Sequence, residues 1–278
     1  MIYLLLAIIS SALVSIIMRL SENSTKNNIA MLSINYLMCL ILAGFYTGFS
    51  NLYVLSEGMN QSIMLGLLNG ILYLSSFILL QRNINKNGVI LSSLFMKLGI
   101  LIPMLISIVF FHEFPSLIQS LGFLIALASI IFMNFQKDQT NINFKWGLIL
   151  LLFVNGITDA MAKIFDEVGN SLLSEQFLFY TFLFAFVISM ILAIKKKSDL
   201  NKNVLFYGLI LGIPNYFSAR FLLQSLQTVP AVIVYPTFSV GTIISVTIAG
   251  MILFQEKLFK YQKVAMIGIL IALVLLNI

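Results

Sequence analysis

Ten runs of about twenty apolar residues, each bounded by polar or charged breaks, fall at roughly 2–18, 29–49, 62–81, 89–111, 116–135, 145–164, 174–194, 204–225, 230–254 and 261–277. A run of that length crosses about 30 Å of hydrocarbon as a helix, the one open-ended conformation that satisfies its own backbone there. Ten of them in 278 residues leave only short connections, so no soluble catalytic or sensory domain fits. Only 9% of the side chains are charged and 60% are hydrophobic, against about 25% charged in soluble domains. A water-soluble globule is excluded, and the chain reads as an all-α integral membrane protein with ten transmembrane helices, multi-pass in the cell membrane. The first run starts at Ile2 with no basic region ahead of it and is expected to be a retained helix. Cys39 is the single cysteine, and neither Cys-x-x-Cys nor zinc-type spacing occurs, so no cofactor or metal is expected.

Sliding the chain on itself by 143 residues places Phe111 on Phe254, Glu113 on Glu256, Gln119 on Gln262 and Asn134 on Asn277. Val89 and Ile90 fall on Val232 and Ile233, and Phe95 on Phe238. An interval of 142 places Gly66 and Gly70 on Gly208 and Gly212, giving Gly-x-x-x-Gly in the third and eighth runs. The polar stretch from Lys137 to Lys145 reads as the linker, so the chain divides into repeats 1–138 and 139–278. Five crossings is an odd number, and the second copy must therefore enter the membrane upside down.

Charge tests this independently. The second loop has no Lys or Arg, while its counterpart, the seventh, has Lys195, Lys196, Lys197 and Lys202. The third carries Arg82 and Lys86, and the eighth carries none. Thirteen of the sixteen basic residues lie in odd-numbered loops; the exceptions are Lys97, Lys163 and Arg220. Equivalent loops thus face opposite sides, as two inverted five-helix repeats require. The excess of basic residues on the cytoplasmic side would place both termini outside.

Phe-His-Glu-Phe at 111–114, Phe-Gln-Glu-Lys-Leu at 254–258 and Pro-Ala-Val-Ile-Val-Tyr-Pro-Thr at 230–237 give the chain a family likeness. It resembles the EamA-type branch of the drug/metabolite transporter superfamily over its whole length. The Trp-Gly-Ser common in first helices of that family is replaced by Ser-Ser-Ala-Leu-Val-Ser at 10–15. The resemblance implies a central cavity between the halves, transport of amino acids, other metabolites or drugs, frequent export, and termini in the cytoplasm.

An ionisable group in hydrocarbon costs about 2.5–3.5 kcal/mol on insertion scales, so each needs a partner or an aqueous cavity. Lys97 lies mid-way along the fourth run and Arg220 within the eighth, after Pro214, Asn215 and Tyr216. Asp159 and Lys163 are four apart in the sixth run, on one helical face, and fit an ion pair or a coupling and gating element. Arg220 either faces the cavity, snorkels to an interface, or neutralises Asp159. Asn69, Tyr73, Asn155, Asn215, Tyr216 and Tyr235 offer hydrogen-bonding groups on apolar bodies, which suits a small organic solute. With Lys97, Arg220 and Asp159 they form the candidate substrate-binding set, whose positive balance favours amino acids or organic anions. Glu113 and Glu256 are expected to cap helices, His112 to be an interfacial polar residue, and Pro103, Pro214 and Pro236 to kink spans.

The expected function is secondary transport by alternating access, with a proton or counter-solute as the coupling partner, because no phosphate loop is present. An integral-membrane enzyme acting on lipid-linked substrates is the alternative; it would need a cluster of His, Asp or Glu, and one histidine with ten scattered acids supplies none. The net charge of +6 sits in short loops, where membrane orientation explains it, so nucleic acid is not an expected partner. Either a monomer or a homodimer fits.

Overall fold

The computed structural model describes residues 1–25, 29–87, 95–96, 99–133, 145–253 and 260–276. Within them the chain is all-helical: α1 Ile2–Thr25, α2 Ile29–Thr47, α3 Met59–Asn87, α4 Leu101–Phe111, α5 Leu117–Met133, α6 Lys145–Val168, α7 Ser174–Lys195, α8 Lys202–Leu226, α9 Ala231–Leu253 and α10 Lys260–Leu276, with one 3₁₀ turn at Ser171–Leu173. Among the described residues six segments are long and apolar enough to span a bilayer: Ile2–Ser21, Ile29–Thr47, Met59–Leu80, Trp146–Val168, Ser171–Lys195 and Ala231–Leu253. The protein is integral to the membrane. Lys97 and Glu256 lie outside the described residues, as do Val89, Ile90, Asn134, Phe254 and Asn277.

Two boundaries run past the expected ends of their apolar runs. The first helix continues to Thr25 rather than stopping near 18, and in its last turns Ser21 Oγ donates to Met18 O at 2.7 Å and Thr25 Oγ1 to Ser21 O at 2.9 Å. The third continues to Asn87 rather than 81. The fourth run is not one uninterrupted helix. Residues 95–96 are helical, a turn follows at Gly99–Ile100, and α4 starts at Leu101. Pro103 therefore occupies the first turn of α4, where a missing N–H costs nothing, rather than kinking a continuous span. Pro214 and Pro236 do lie inside helices.

The chain forms two compact units, and each draws on both sides of residue 139. Unit 1 comprises Met1–Leu74 and Met161–Gln227. In it α1 and α2 pack on α8, and α2 also packs on α7. The glycines decide how closely. A Cβ added at Gly208 would come 2.7 Å from Ile34 Cβ and 2.9 Å from Met31 O, and one at Gly212 would come 2.6 Å from Asn35 O. A Cβ at Gly66 would come 2.8 Å from Tyr180 Cβ and 3.2 Å from Phe177 O, and one at Gly70 would come 2.6 Å from Thr181 O. Helix backbones thus touch at both places, which only a residue without a side chain permits. The numbering rises together along α2 and α8, and along α3 and α7, so each of these pairs runs parallel. The hydroxyl of Thr47, at the end of α2, donates to Glu175 O at the start of α7, so α2 and α7 run antiparallel.

Unit 2 comprises Ser75–Ala160 and Thr228–Ile278. Here α5 and α10 cross antiparallel, with Gly122 against Ala272 and Leu275, and Gly268 against Ser129. Ala126, Val240 and Ala272 form a core that joins α9 to them. Gly99 and Gly156 bring the start of α4 onto α6. Capping in this unit differs from expectation in one respect. The start of α5 is held by a reciprocal box, Gln119 N–H to Ser116 Oγ at 3.2 Å and Ser116 N–H to Gln119 Oε1 at 3.0 Å. Glu113 caps a helix remote in sequence instead: its Oε2 accepts the N–H of Ala231 at 2.8 Å, at the N-terminus of α9. His112 is exposed and closes α4 in the left-handed conformation, φ 55°.

Substituting Gly212 by Leu drives a side chain into the Asn35 carbonyl and is expected to destabilise unit 1 by at least about 1–3 kcal/mol, the usual cost of overpacking. Thermal unfolding in detergent should show a clear drop in melting temperature, whereas Leu68→Val, on an exposed position of α3, should leave it unchanged.

Candidate functional site

Each unit carries its own polar cluster within the helices. In unit 1 the centre is Glu175, in the first turn of α7. Its Oε1 accepts from Arg220 Nε and Nη2 of α8, both at 2.7 Å, and its Oε2 accepts from Tyr216 OH at 3.1 Å. The Arg220 guanidinium lies 4.1 Å from the centre of the Tyr46 ring on α2. One acid and one base thus satisfy each other, and the tyrosine face adds a cation–π contact. The carboxylate that neutralises Arg220 is Glu175 of the same unit, where the sequence suggested Asp159.

Beneath the pair runs a column of rings. Tyr46 stacks on Tyr216 at 5.7 Å, Tyr216 meets Phe182 at 6.0 Å, and Phe182 meets Tyr73 edge-on at 5.9 Å. Tyr216 and Phe182 are completely buried. The column crosses the unit from α2 through α8 and α7 to α3. Two expected residues make separate interhelical contacts near it: Asn69 Nδ2 donates to Thr181 Oγ1 at 3.3 Å, and Asn215 Nδ2 to Asn35 Oδ1 at 3.2 Å. Asn35 Nδ2 and Asn69 Oδ1 remain buried without a protein partner; the first can donate to, and the second accept from, water or a solute. Lys163, 2% exposed, donates to Glu167 and lies 4.0 Å from Asp166 on α6.

In unit 2 the hub is Asn155, in mid-α6. Its Oδ1 accepts from Ser76 Oγ of α3 at 3.0 Å, while its Nδ2 donates to Asp159 Oδ2 at 3.1 Å and to Met96 O at 3.3 Å. Met96 stands at the interruption of the fourth run, just ahead of the Gly99 turn. The Met96 carbonyl accepts the Gly99 N–H of the turn at 3.2 Å, and Asn155 adds a second, interhelical donor. Tyr235 of α9 donates from its hydroxyl to Asp159 O at 2.8 Å. The structure therefore gathers Asn155, Asp159 and Tyr235 in unit 2, and Arg220, Tyr216 and Tyr73 in unit 1.

The residues missed by sequence reasoning are Glu175, Tyr46, Ser76, Asn35 and Thr181. Glu175 carries the one usable signal: it is a carboxylate just inside an apolar run, in a chain where an intramembrane Arg needs one.

Residues 145–278 match the model of the EamA-like transporter family. Over those residues the chain is similar to the EamA-like transporter family. An uncharacterized protein of Haemophilus influenzae (strain ATCC 51907 / DSM 11121 / KW20 / Rd) is 25% identical over 278 residues, covering 95% of this chain and 93% of its own. A solved crystal structure, 13% identical, superposes with a TM-score of 0.77 over 99% of this chain and 94% of its own, so the fold is shared along the full length. The chain is a multi-pass membrane protein whose likeness is to a family that transports rather than catalyses, which sets aside the membrane-enzyme alternative.

Glutamine at position 175 or 220 leaves the other charge half-buried and unpaired. Each single substitution is expected to lower the melting temperature, and a Glu175→Gln/Arg220→Gln double-mutant cycle should give a coupling of about 1–3 kcal/mol, between the values for exposed and for fully buried pairs. Additive single effects would show that the pair contributes nothing.

Proposed function

We propose that the chain is a secondary transporter of a small organic metabolite, an amino acid or organic anion, that works by alternating access at a mid-membrane cavity between two inverted five-helix repeats, 1–138 and 139–278. The observation that carries this reading is the mirrored glycine packing of unit 1. Gly66 and Gly70 correspond to Gly208 and Gly212 at an interval of 142. Their contacts Phe177, Tyr180, Thr181 and Phe184 correspond to Met31, Ile34, Asn35 and Met38 at a constant interval of 146. Exchanging α2 with α7 and α3 with α8 maps one contact onto the other, and since α2 and α7 are antiparallel the exchange reverses direction. Ten crossings are what this reading requires, and the inversion of loop charge agrees with it.

The solute-binding set is Lys97, Arg220, Asp159, Asn155, Asn215, Tyr216, Tyr235, Asn69 and Tyr73, with Asp159 and Lys163 in coupling or gating. A broken fourth helix beside Asn155 and Asp159 suits such a site, because unwound backbone and an acid near the middle of the bilayer are the groups that hold coupling ions or protons. With Arg220 paired to Glu175, the preference for a solute carboxylate rests on Lys97 and on Arg220 once that pair parts. Export is the direction the family likeness favours, across the cell membrane.

The test joins topology to flux. Reporter fusions in the nine loops should alternate between the two faces; any other number of crossings overturns the inverted repeat. A melting-temperature screen against a metabolite library identifies a solute by the stabilisation that binding to the folded state confers. In proteoliposomes, Lys97→Ala and Arg220→Ala are each expected to lower the flux of that solute at least tenfold while the protein remains folded and inserted. Unchanged flux in both removes them from the site.

A further inference from the structure

We propose that the Glu175–Arg220 pair is a latch that closes one end of unit 1 and must part for solute to pass that end, an inference that rests on the transport reading above. Four observations combine to place the latch. First, the pair stands where the end of α2, the start of α7 and the last turns of α8 converge: Glu175 takes Arg220 and Tyr216 from α8 on its carboxylate and Thr47 from α2 on its backbone carbonyl. Three helices are thus tied through one residue. Second, the connections at this end, 48–58, 169–173 and 227–230, contain no Lys or Arg, so the end faces away from the basic loops.

Third, the pair covers the buried part of the ring column. The side chains of Arg220 and Glu175 are 18% and 25% exposed and Tyr46 beside them is 40% exposed, whereas Tyr216 and Phe182 are fully buried. Separating the pair uncovers Tyr216, whose hydroxyl Glu175 holds. Fourth, the two ends of the α2–α8 contact are held by different forces. Towards the start of both helices, Gly208 and Gly212 press backbone on backbone, a contact that cannot loosen without losing its dispersion energy at once. At the Glu175 end, bulky tyrosines hold the helices apart and polar bonds bridge the gap. Water or a charged solute group can replace those bonds one for one. The arrangement is a hinge at the glycines and a releasable catch at the far end.

Glu175 has no assigned role in the substrate set, and its carboxylate occupies the face of Arg220 that a solute carboxylate would use. Closing the latch therefore also masks Arg220.

The test reads accessibility and needs no knowledge of the solute. Cys39, buried against Gly212 O, is replaced by Ala, and Phe182→Cys supplies the reporter beneath the pair. A membrane-impermeant methanethiosulfonate is applied to right-side-out and to inside-out vesicles. In the reporter background, labelling from the Lys- and Arg-free face should be slow. Glu175→Gln and Arg220→Gln should each raise that rate at least tenfold and leave the rate from the opposite face unchanged. The swapped pair, Glu175→Arg with Arg220→Glu, should return the rate to within about threefold of the reporter alone. Unchanged labelling in both single variants overturns the latch. Equal acceleration from both faces overturns it as well, since the pair would then be holding the fold and not one end of it. Because no flux enters the measurement, the two failures are read separately: labelling reports whether the pair closes this end, and flux reports whether the protein transports.

Discussion

Hydrocarbon gives helices almost no hydrophobic reason to adhere to one another, because lipid tails are as apolar as leucine. Whatever holds this protein together inside the membrane must therefore come from close backbone contact or from polar groups that have no other partner. Both are present. Glycine contacts fix α2 to α8 and α3 to α7, while α5 meets α10 through Gly122 and Gly268. Polar bonds link Glu175 with Arg220 and Tyr216, and Asn155 with Ser76 and the Met96 carbonyl. At three places the two kinds of contact stand side by side: Asn35–Asn215 beside Gly212, Asn69–Thr181 between Gly66 and Gly70, and Asn155 beside Gly156.

Much of this was legible in the sequence because a bilayer reduces folding to a counting problem. A helix that must cross 30 Å leaves a twenty-residue apolar signature, and the described helices lie on all ten such runs. Interruptions were harder to read. The fourth run is apolar enough to span even with Lys97 in it, so its hydropathy does not mark the turn at Gly99; the Met96 carbonyl there accepts from Asn155, 59 residues on. The ends of α1 and α3 were underestimated because an apolar run measures only the membrane-crossing part of a helix, and a helix can continue beyond it.

The site was legible as a set of residue types and not as a set of pairs. Arg220 stood out because a charge in an apolar run demands explanation, and Asn155 because an amide there must find a partner. Which partner each finds depends on helix packing, and the Arg220 carboxylate lies 45 residues away in a helix whose first turn reads as ordinary dipole compensation. Glu113 teaches the same lesson. Its place before α5 suggested that it caps α5, yet Ser116 and Gln119 already fill that role, and Glu113 reaches the start of α9 instead.

The interleaving of the two compact units bears on how the molecule is made. Unit 1 needs residues up to Gln227, and unit 2 needs Thr228 onward, so neither is complete when the ribosome has delivered only the first five helices. Early helices such as α1 and α2 must wait in the lipid, with Asn35 lacking Asn215 and Tyr46 lacking Arg220, until α8 emerges. During that interval the growing polypeptide is exposed to quality-control proteases and to mispairing with other nascent helices. Biogenesis of this transporter is thus governed by the late arrival of its eighth helix.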